Sequence, residues 1–242
     1  MNQAWLPSSK HEIVGNHRMK KLFGKLIHLK NKHGKTGFPQ EFHNSFLITG
    51  ASRSGKTATV KHFVRCLLCD HLDVENQQPC GECDGCSQSL LGEQNNGIFH
   101  DPGKFEFCPL DCSRVKKQSD LTDPLYLDVI ERSVPRINFL DEVHFLANRD
   151  IANILLKAVE ERPAMWILST ARPELMDEML LKRSLTISTE PPSQESLMQW
   201  IVDRAREFKV DVTADELVDW SRSFVNEPGM ILKELELKRL IN

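Results

Sequence analysis

The sequence lacks any apolar run that approaches the roughly 18 residues needed to span a membrane. Its start, residues 1–10, also lacks the apolar core of a secretory signal peptide. We therefore expect a cytoplasmic protein with no membrane partner. Seven cysteines cannot all pair, and a reducing cytosol does not favour disulfides, so clustered cysteines are interpreted first as metal ligands.

Acidic residues are scarce in the first quarter of the chain. Residues 1–65 carry 12 Lys and Arg against 2 Asp and Glu, a formal charge of +10, whereas the rest carries 19 against 32. Such a basic segment favours binding of a polyanion such as a nucleotide or DNA. An equally supported interpretation is a solvated basic helix around Arg18–Lys35. The overall composition, 40% hydrophobic and 27% charged, is that of an ordinary globular protein.

Apolar segments of two different periodicities alternate along the chain and predict an α/β fold. Helical spacing is found over Val14–Leu29, after Lys56, and over Leu125–Glu131 and Arg149–Glu161. Buried strands are predicted over Ser45–Thr49 and Arg136–Leu140, a short strand over Phe105–Leu110 and a further strand over Met165–Ser169. Since strands that alternate with helices imply parallel crossovers, we expect a parallel sheet covered by helices on both faces.

The pair Pro191-Pro192 interrupts this pattern, and no convincing strand follows it. Three helices are predicted instead, over Gln194–Phe208, Ala214–Phe224 and Pro228–Ile241, with Ser193 and Thr213 as N-caps. We therefore expect an α/β domain over residues 1–190 and a small helical domain over residues 191–242.

A phosphate-binding loop follows the first predicted strand. Eight residues match the pattern G-x-x-x-x-G-K-[ST] without a mismatch: Gly50, Ala51, Ser52, Arg53, Ser54, Gly55, Lys56 and Thr57. The glycines let backbone N–H groups and the helix N-terminus face an anion. Lys56 is expected to neutralise the β- and γ-phosphates of ATP, and Thr57 to ligate Mg²⁺.

Two carboxylates follow the third predicted strand. Asp141 lies where it can hold Mg²⁺, and Glu142 lies where it can polarise the water that attacks the γ-phosphate. An apolar run before Asp-Glu is common by itself, but after a phosphate-binding loop it is the expected partner. Two adjacent acids favour ATP hydrolysis over nucleotide binding alone.

Four cysteines lie close together after the helix of the loop: Cys69, Cys80, Cys83 and Cys86. Four thiolates separated by tight-turn residues suit a structural Zn²⁺, and an iron–sulfur cluster is the alternative. Cys66 is interpreted as a core residue. Cys108 and Cys112 are interpreted as core thiols of the strand region, with a second metal-binding pair as the alternative.

A cysteine cluster inserted after such a loop resembles the gamma/tau subunits of bacterial DNA polymerase III clamp loaders. Six further segments are similar in the same order: Trp5–Pro7, Glu12–His17, Asp111–Arg114, Phe139–Leu146, Asn153–Pro163 and Leu168–Pro173. The resemblance implies an AAA+ P-loop NTPase fold with a zinc-binding insert at about residues 69–103 and a three-helix lid. It also implies that Ile13 and Val14 help to enclose adenine and that Thr170 lies near the γ-phosphate.

By the same resemblance, the protein hydrolyses ATP within a partial ring of related AAA+ subunits and loads a sliding clamp on primer–template DNA. Arg183 would then reach the ATP of a neighbouring subunit. The DNA contacts would come from Ser113, Arg114 and Lys116. The implied cofactors are ATP, Mg²⁺ and Zn²⁺.

The sequence departs from the family pattern in three places. Lys182-Arg183-Ser184 stands where the family has Ser-Arg-Cys, and Leu232 stands where a sensor-2 Arg is expected, with Lys233 as the candidate substitute. The sequence also ends at Asn242, after the lid, without the family's collar domain. Two alternatives are therefore kept: a related AAA+ switch, such as a helicase loader or mobile-element regulator, and a non-hydrolysing scaffold of the delta-prime type. The intact phosphate-binding loop argues against the scaffold.

Overall fold

The computed structural model describes residues 12–33, 44–86, 106–125, 136–146, 149–161 and 164–241. The strands are β1 (Ser45–Thr49), β2 (Glu106–Asp111), β3 (Arg136–Asp141), β4 (Ala164–Thr170) and β5 (Leu185–Ser188). The α-helices are α1 (His17–His33), α2 (Lys56–Leu68), α3 (Gln118–Leu125), α4 (Arg149–Glu161), α5 (Glu178–Arg183), α6 (Gln194–Phe208), α7 (Ala214–Ser223) and α8 (Gly229–Ile241). The strands form one parallel sheet in the order β2-β3-β4-β1-β5, which confirms the predicted α/β class.

Strand β1 shows how the sheet is covered on both faces. Its side chains Phe46 and Ile48 belong to one hydrophobic cluster, together with apolar residues of α1 and α2. Leu47, which lies between them, belongs to a second cluster that includes residues of α4. Successive side chains of a strand point to opposite faces of the sheet. Since both faces are covered here, all five residues of β1 are buried. This double burial is the reason that a central parallel strand has a continuous apolar sequence.

Helices α6, α7 and α8 enclose a third hydrophobic cluster, which includes Trp200 and Trp220. Both predicted N-caps are confirmed. The Ser193 side chain accepts a hydrogen bond from the N–H of Ser196, and Thr213 forms a capping box with Glu216. The domain boundary predicted near residue 190 lies in the segment between β5 and α6 and stays a prediction.

Some elements differ from their sequence predictions. Helix α1 begins at His17 rather than at Val14, because Gly15 and Asn16 have left-handed backbone angles, with φ of 71° and 55°. The helix predicted over Leu125–Glu131 lies outside the described residues except for its first residue, which is the last residue of α3. Three elements of the structure, α3, α5 and β5, were not predicted from the sequence. Within the described part of the chain, no helix is both long enough and apolar enough to cross a membrane.

Candidate nucleotide-binding site

The loop between β1 and α2 depends on two glycines. Gly50 has a φ of 152°, and a Cβ atom there would lie 1.8 Å from the hydroxyl oxygen of Thr189. Gly55, with a φ of 89°, is the N-cap of α2. The N–H of Gly50 donates to the carbonyl of Thr170 at 3.3 Å, so the loop starts beside the end of β4. A side chain at either glycine would displace the loop or strain its backbone.

Lys56 is the first residue of α2 and is only 4% exposed. Its ammonium group donates to the carbonyls of Gly50 and Ala51 at 2.9 and 2.8 Å, so the side chain lies along the loop. Burial lowers the pKa of Lys56, and the nearby carboxylates of Glu142 and Asp141 oppose this shift. A lysine ammonium group beside a turn of backbone N–H groups can bind a phosphate.

The two predicted Mg²⁺ ligands of the protein are in contact. The hydroxyl group of Thr57 donates to Oδ2 of Asp141 at 2.7 Å. The other carboxylate oxygen of Asp141 accepts from the hydroxyl group of Ser169 and, at 3.1 Å, from the N–H of Glu142. Hydroxyl and carboxylate oxygens are the ligands that Mg²⁺ prefers. The contact of Ser169 has no local signal, because in the sequence Ser169 is only the end of a predicted strand.

Glu142 has a φ of 54°, which is uncommon for a residue other than glycine. Its Oε2 accepts from the N–H of Ala171 at 3.4 Å and lies 3.3 Å from Nδ1 of His144. The same Nδ1 lies 3.0 Å from the hydroxyl oxygen of Thr170. The acid predicted to activate water and the predicted γ-phosphate sensor are therefore linked through His144, for which the motif analysis assigned no role.

A cavity of about 480 Å³ lies next to these residues. Polar groups of Lys56, Thr57 and Glu142 line it, and so do the apolar side chains of Ile13, Val14 and Trp200. The indole N–H of Trp200 donates to the carbonyl of Glu12 at 2.7 Å, which ties α6 to the segment before α1. A cavity with both polar and apolar walls suits a ligand that carries phosphates and a heterocycle.

Helix α8 contacts the phosphate-binding loop directly. The N–H of Gly229 donates to the carbonyl of Arg53 at 3.1 Å, and a Cβ atom on Gly229 would lie 3.0 Å from the same carbonyl oxygen. Leu232 lines the cavity, whereas the exposed Lys233 is not among the residues that do. The position at which a sensor-2 Arg was expected therefore presents an apolar side chain to the site.

Asn16, which the resemblance placed in the segment Glu12–His17 without a role of its own, joins three segments around the site. The residue is 1% exposed. Its Nδ2 donates to the carbonyl of Ser54 at 2.9 Å, and its Oδ1 accepts from the N–H of Glu190 at 3.1 Å. Its own N–H donates to the carbonyl of Glu190 at 3.1 Å. The start of α1, the phosphate-binding loop and the chain that leads to α6 are thereby held together.

The four predicted zinc ligands lie side by side, with all sulfur atoms within 4.8 Å of one another: Cys69, Cys80, Cys83 and Cys86. The sulfur of Cys69 lies 3.7 Å from that of Cys80 and 4.0 Å from that of Cys83. A tetrahedral site with Zn–S bonds of about 2.3 Å requires sulfur atoms about 3.8 Å apart. The donor set and its spacing therefore fit Zn²⁺.

In this cluster, hydrogen bonds lower the pKa of one thiol, whereas burial raises the pKa of two others. Backbone hydrogen bonds, first from Glu82 and then from Cys83, lower the pKa of Cys80 to about 7. Burial instead raises the pKa of Cys69 and of Cys86. The other three cysteines, Cys66, Cys108 and Cys112, lie buried in the two hydrophobic clusters of the sheet, as their interpretation as core residues requires.

Arg183 is the last residue of α5. It forms an ion pair with Glu160 of α4, and its side chain is 41% exposed. It is not among the residues that line the cavity. Its guanidinium group therefore does not contact the site in its own chain.

The three predicted DNA contacts are exposed and follow the end of β2. The hydroxyl group of Ser113 donates to Asp111 at 2.6 Å, and Nε of Arg114 lies 3.3 Å from the other oxygen of the same carboxylate. The N–H of Lys116 donates to Asp120 of α3 at 3.0 Å. Ser113 and Arg114 therefore share the Asp111 carboxylate, and Lys116 contacts the first turn of α3.

Known proteins are similar to this chain in sequence and in fold. Residues 29–193 match the family described as DNA polymerase III, delta subunit, and this match spans more than half of the chain. The chain belongs to this family. It is 29% identical over 160 residues to DNA polymerase III subunit tau/gamma of Haemophilus influenzae, and 25% identical over 184 residues to subunit tau of Bacillus subtilis. The matched regions cover 65% and 74% of this chain but only 22% and 31% of those relatives. This member of the family is a clamp-loader-like AAA+ protein.

Solved structures show the same fold. RuvB of Thermotoga maritima, described as a Holliday junction branch migration motor, superimposes with a TM-score of 0.63 and 18% identity, over 96% of this chain and 64% of that chain. A proline-to-glycine mutant of the same protein superimposes with a TM-score of 0.61, also at 18% identity, over 96% of this chain and 65% of that chain. At this level of identity the likeness establishes the AAA+ fold alone.

Proposed function

We propose that the protein binds and hydrolyses ATP as a clamp-loader-like subunit in DNA replication. The observation that carries the proposal is the meeting of Lys56, Thr57, Asp141 and Glu142 beside the carboxyl ends of β1 and β3, the two parallel strands that flank β4. In open α/β sheets, ligands bind at this edge. One site can then hold phosphate, a divalent cation and a water molecule.

The residues present fit ATP and Mg²⁺. Lys56 would bind phosphate oxygens instead of the two loop carbonyls, and Thr57 with Asp141 would hold Mg²⁺. Bound ATP would supply the γ-phosphoryl group, and the metal would neutralise charge on its oxygens. Backbone N–H groups would come from the rest of the loop: Gly50, Ala51, Ser52, Arg53, Ser54 and Gly55.

Glu142 and Thr170 would act at the γ-phosphate end of the site. The Glu142 carboxylate would accept a hydrogen bond from the attacking water and so orient it. The Thr170 hydroxyl would donate to a γ-phosphate oxygen. The apolar walls formed by Ile13, Val14 and Trp200 would enclose the adenine ring at the other end.

A structural Zn²⁺ would stabilise the segment that follows α2. Four sulfur ligands close the coordination sphere, so the metal would take no part in catalysis. The ligand Cys69 is the C-cap of α2. Bound metal would therefore stabilise the end of the helix whose first residues carry Lys56 and Thr57.

The partners proposed are related AAA+ subunits, a sliding clamp and primer–template DNA. Arg183 would contact the ATP of a neighbouring subunit, which its position outside its own cavity supports. The exposed residues Ser113, Arg114 and Lys116 would contact DNA phosphates.

Two variants test the ATPase function. Lys56→Ala should lose nucleotide binding. Glu142→Gln should keep binding, measured with a fluorescent ATP analogue, but lower kcat by a factor on the order of 10² or more, since it removes the general base. Glu174→Gln, at an exposed acid after β4, is the matched control and should keep the wild-type rate. A Glu142→Gln protein that hydrolyses ATP at the wild-type rate would refute the assigned role.

A non-hydrolysing scaffold is the second candidate, favoured by the apolar Leu232 at the sensor-2 position. The same assay separates the two candidates. Wild-type protein that binds ATP tightly, yet shows no turnover when DNA and partner subunits are present, would support the scaffold.

A further inference from the structure

We infer that His144 is a positioning residue that directs the Thr170 hydroxyl proton toward the nucleotide and holds the Glu142 carboxylate. The inference rests on the proposed ATPase function and adds a residue that acts through two others. His144 lies in the 3-10 turn Val143–Leu146 that follows β3. It is 9% exposed, and its ring lies against that of Phe145, with centroids 4.4 Å apart.

A single nitrogen of His144 faces two oxygen atoms. Nδ1 lies 3.0 Å from the hydroxyl oxygen of Thr170 and 3.3 Å from Oε2 of Glu142. An ionised carboxylate can only accept a hydrogen bond, so a favourable contact requires a proton on Nδ1. Both the neutral Nδ1–H tautomer and the imidazolium ion meet this requirement. Glu142 therefore selects the form of His144 in which Nδ1 is a donor.

This choice decides where the proton of the Thr170 hydroxyl points. The hydroxyl oxygen also accepts from the N–H of Arg172 at 3.0 Å. A hydroxyl group has two acceptor lone pairs and one proton. When His144 and Arg172 both donate, the lone pairs are occupied, and the proton is left for a third partner.

That third partner is the γ-phosphate of the proposed ATP complex. Thr170 ends β4, and its carbonyl accepts from Gly50, so the residue lies beside the start of the phosphate-binding loop; its side chain is buried and does not line the cavity itself. In the opposite tautomer, Nδ1 would accept a hydrogen bond from the Thr170 hydroxyl group. Thr170 would then have no proton for the phosphate, and an unprotonated nitrogen would face the Glu142 carboxylate.

Of these three residues only Glu142 lines the cavity, so His144 would act on the nucleotide through Glu142 and through the buried hydroxyl of Thr170. Its loss should therefore leave ATP affinity nearly unchanged and reduce the rate of hydrolysis. Mutation of a residue that orients a metal ligand through a hydrogen bond typically lowers activity by a factor of about 10 to 100, and we expect an effect of that size here.

The test combines a spectroscopic measurement with two substitutions that separate the ring nitrogens. The ¹⁵N chemical shifts of His144, assigned by comparison with His144→Asn protein, report which nitrogen carries the proton, and we expect a proton on Nδ1. The amide nitrogen of Asn occupies the approximate place of Nδ1, and that of Gln the place of Nε2. His144→Ala and His144→Gln should lower the single-turnover rate by a factor on the order of 10 to 100 with little change in KM. His144→Asn should recover most of the rate.

His62→Asn is the matched control, because His62 is also buried, at 5% exposure, but lies outside the cavity lining. It should leave the single-turnover rate unchanged, and melting temperatures of all variants would identify losses due to unfolding. A proton on Nε2 alone, or equal rates for His144→Asn and His144→Gln, would overturn the inference. If wild-type protein shows no turnover at all, the proposed function fails, while the ¹⁵N measurement still decides whether His144 directs the Thr170 hydroxyl.

Discussion

At the scale of single residues, the site is held by side chains whose partners are distant in sequence. Asp141 illustrates this, because its two oxygens accept from Thr57, 84 residues earlier, and from Ser169, 28 residues later. Asn16 is a second case, since its side chain bridges Ser54 and Glu190. Each of these residues links two segments that are distant in sequence through the oxygen and nitrogen atoms of one side chain.

We expect replacement of Asn16 to lower the free energy of unfolding. Asn16→Ala leaves the Ser54 carbonyl and the Glu190 N–H without partners, at a cost of about 1–3 kcal/mol each. It also places alanine at a φ of 55°, which costs about 1–2 kcal/mol more. We expect urea denaturation to show a loss of at least about 2 kcal/mol in the free energy of unfolding. Asn16→Gly loses the same hydrogen bonds without the strain and should be the more stable variant by about 1 kcal/mol. Equal stabilities of both variants and the wild type would contradict this role.

At the scale of elements, the segment after α2 packs closely on that helix. A Cβ atom on Gly85 would lie 1.9 Å from the carbonyl oxygen of Leu68, so no larger residue fits there without movement. His62 and Cys66 of α2 both lie within hydrogen-bond distance of the carbonyl of Gln77. The turn between the first two zinc-ligand candidates is thereby packed on α2, which places four sulfur atoms at its C-terminal end.

Metal analysis of the purified protein should give about one zinc per chain, the capacity of a single four-sulfur site, and no iron–sulfur absorbance. Cys80→Ser or Cys83→Ser should release the metal and lower the melting temperature, while ATP affinity changes little because the cluster lies at the far end of α2 from Lys56. Cys66→Ala is the control, since Cys66 lies outside the cluster and should keep the zinc. Metal-free protein of unchanged stability would contradict the zinc site.

At the scale of the whole molecule, the strand order decides which loops meet. Strand β1 lies between β4 and β5, and β4 lies between β1 and β3, so the loops after β1, β3 and β4 converge at one edge. Trp200 of α6 and Gly229 and Leu232 of α8 line the cavity, so both helices cover the same site. Arg183 does not line this cavity and pairs with Glu160 instead.

An isolated chain should hydrolyse ATP slowly, because Arg183 does not contact its own site. Addition of DNA and partner subunits should raise the rate by a factor on the order of 10³ at most. Arg183→Ala should abolish that rise while ATP affinity stays nearly unchanged, since the lost contact forms mainly in the transition state. Lys182→Ala, at an exposed neighbour that pairs with Glu178, is the matched control and should keep the rise.

A mixing experiment in a self-assembling form of the protein tests the contact between subunits. Arg183→Ala chains bind ATP but lack the arginine, and Lys56→Ala chains have the arginine but do not bind ATP. Activity should partly return when the two are mixed. No recovery despite demonstrated mixed assembly would count against Arg183 as the contacting residue.

Local patterns in the sequence were sufficient for a large part of this molecule. The bounds of β1, α4 and α6 agree with their predictions, because double burial, helical periodicity and N-caps each depend on residues that are close together in the sequence. The phosphate-binding loop and the Asp-Glu pair were found for the same reason, since each motif is contiguous. Four closely spaced cysteines likewise predicted the sulfur cluster.

Only the tertiary structure decided the features that depend on contacts between distant segments. Strand β5 has four residues, of which only Ile187 is buried, so its apolar pattern is too weak to predict, and it forms by pairing with β1. His144 has a role only because β4 brings Thr170 to within 3.0 Å of it. Asn16 likewise has neighbours 38 and 174 residues away. Such contacts leave no local signal, since the free energy that selects them comes from packing and hydrogen bonding across the sheet, not from the conformational preferences of adjacent residues.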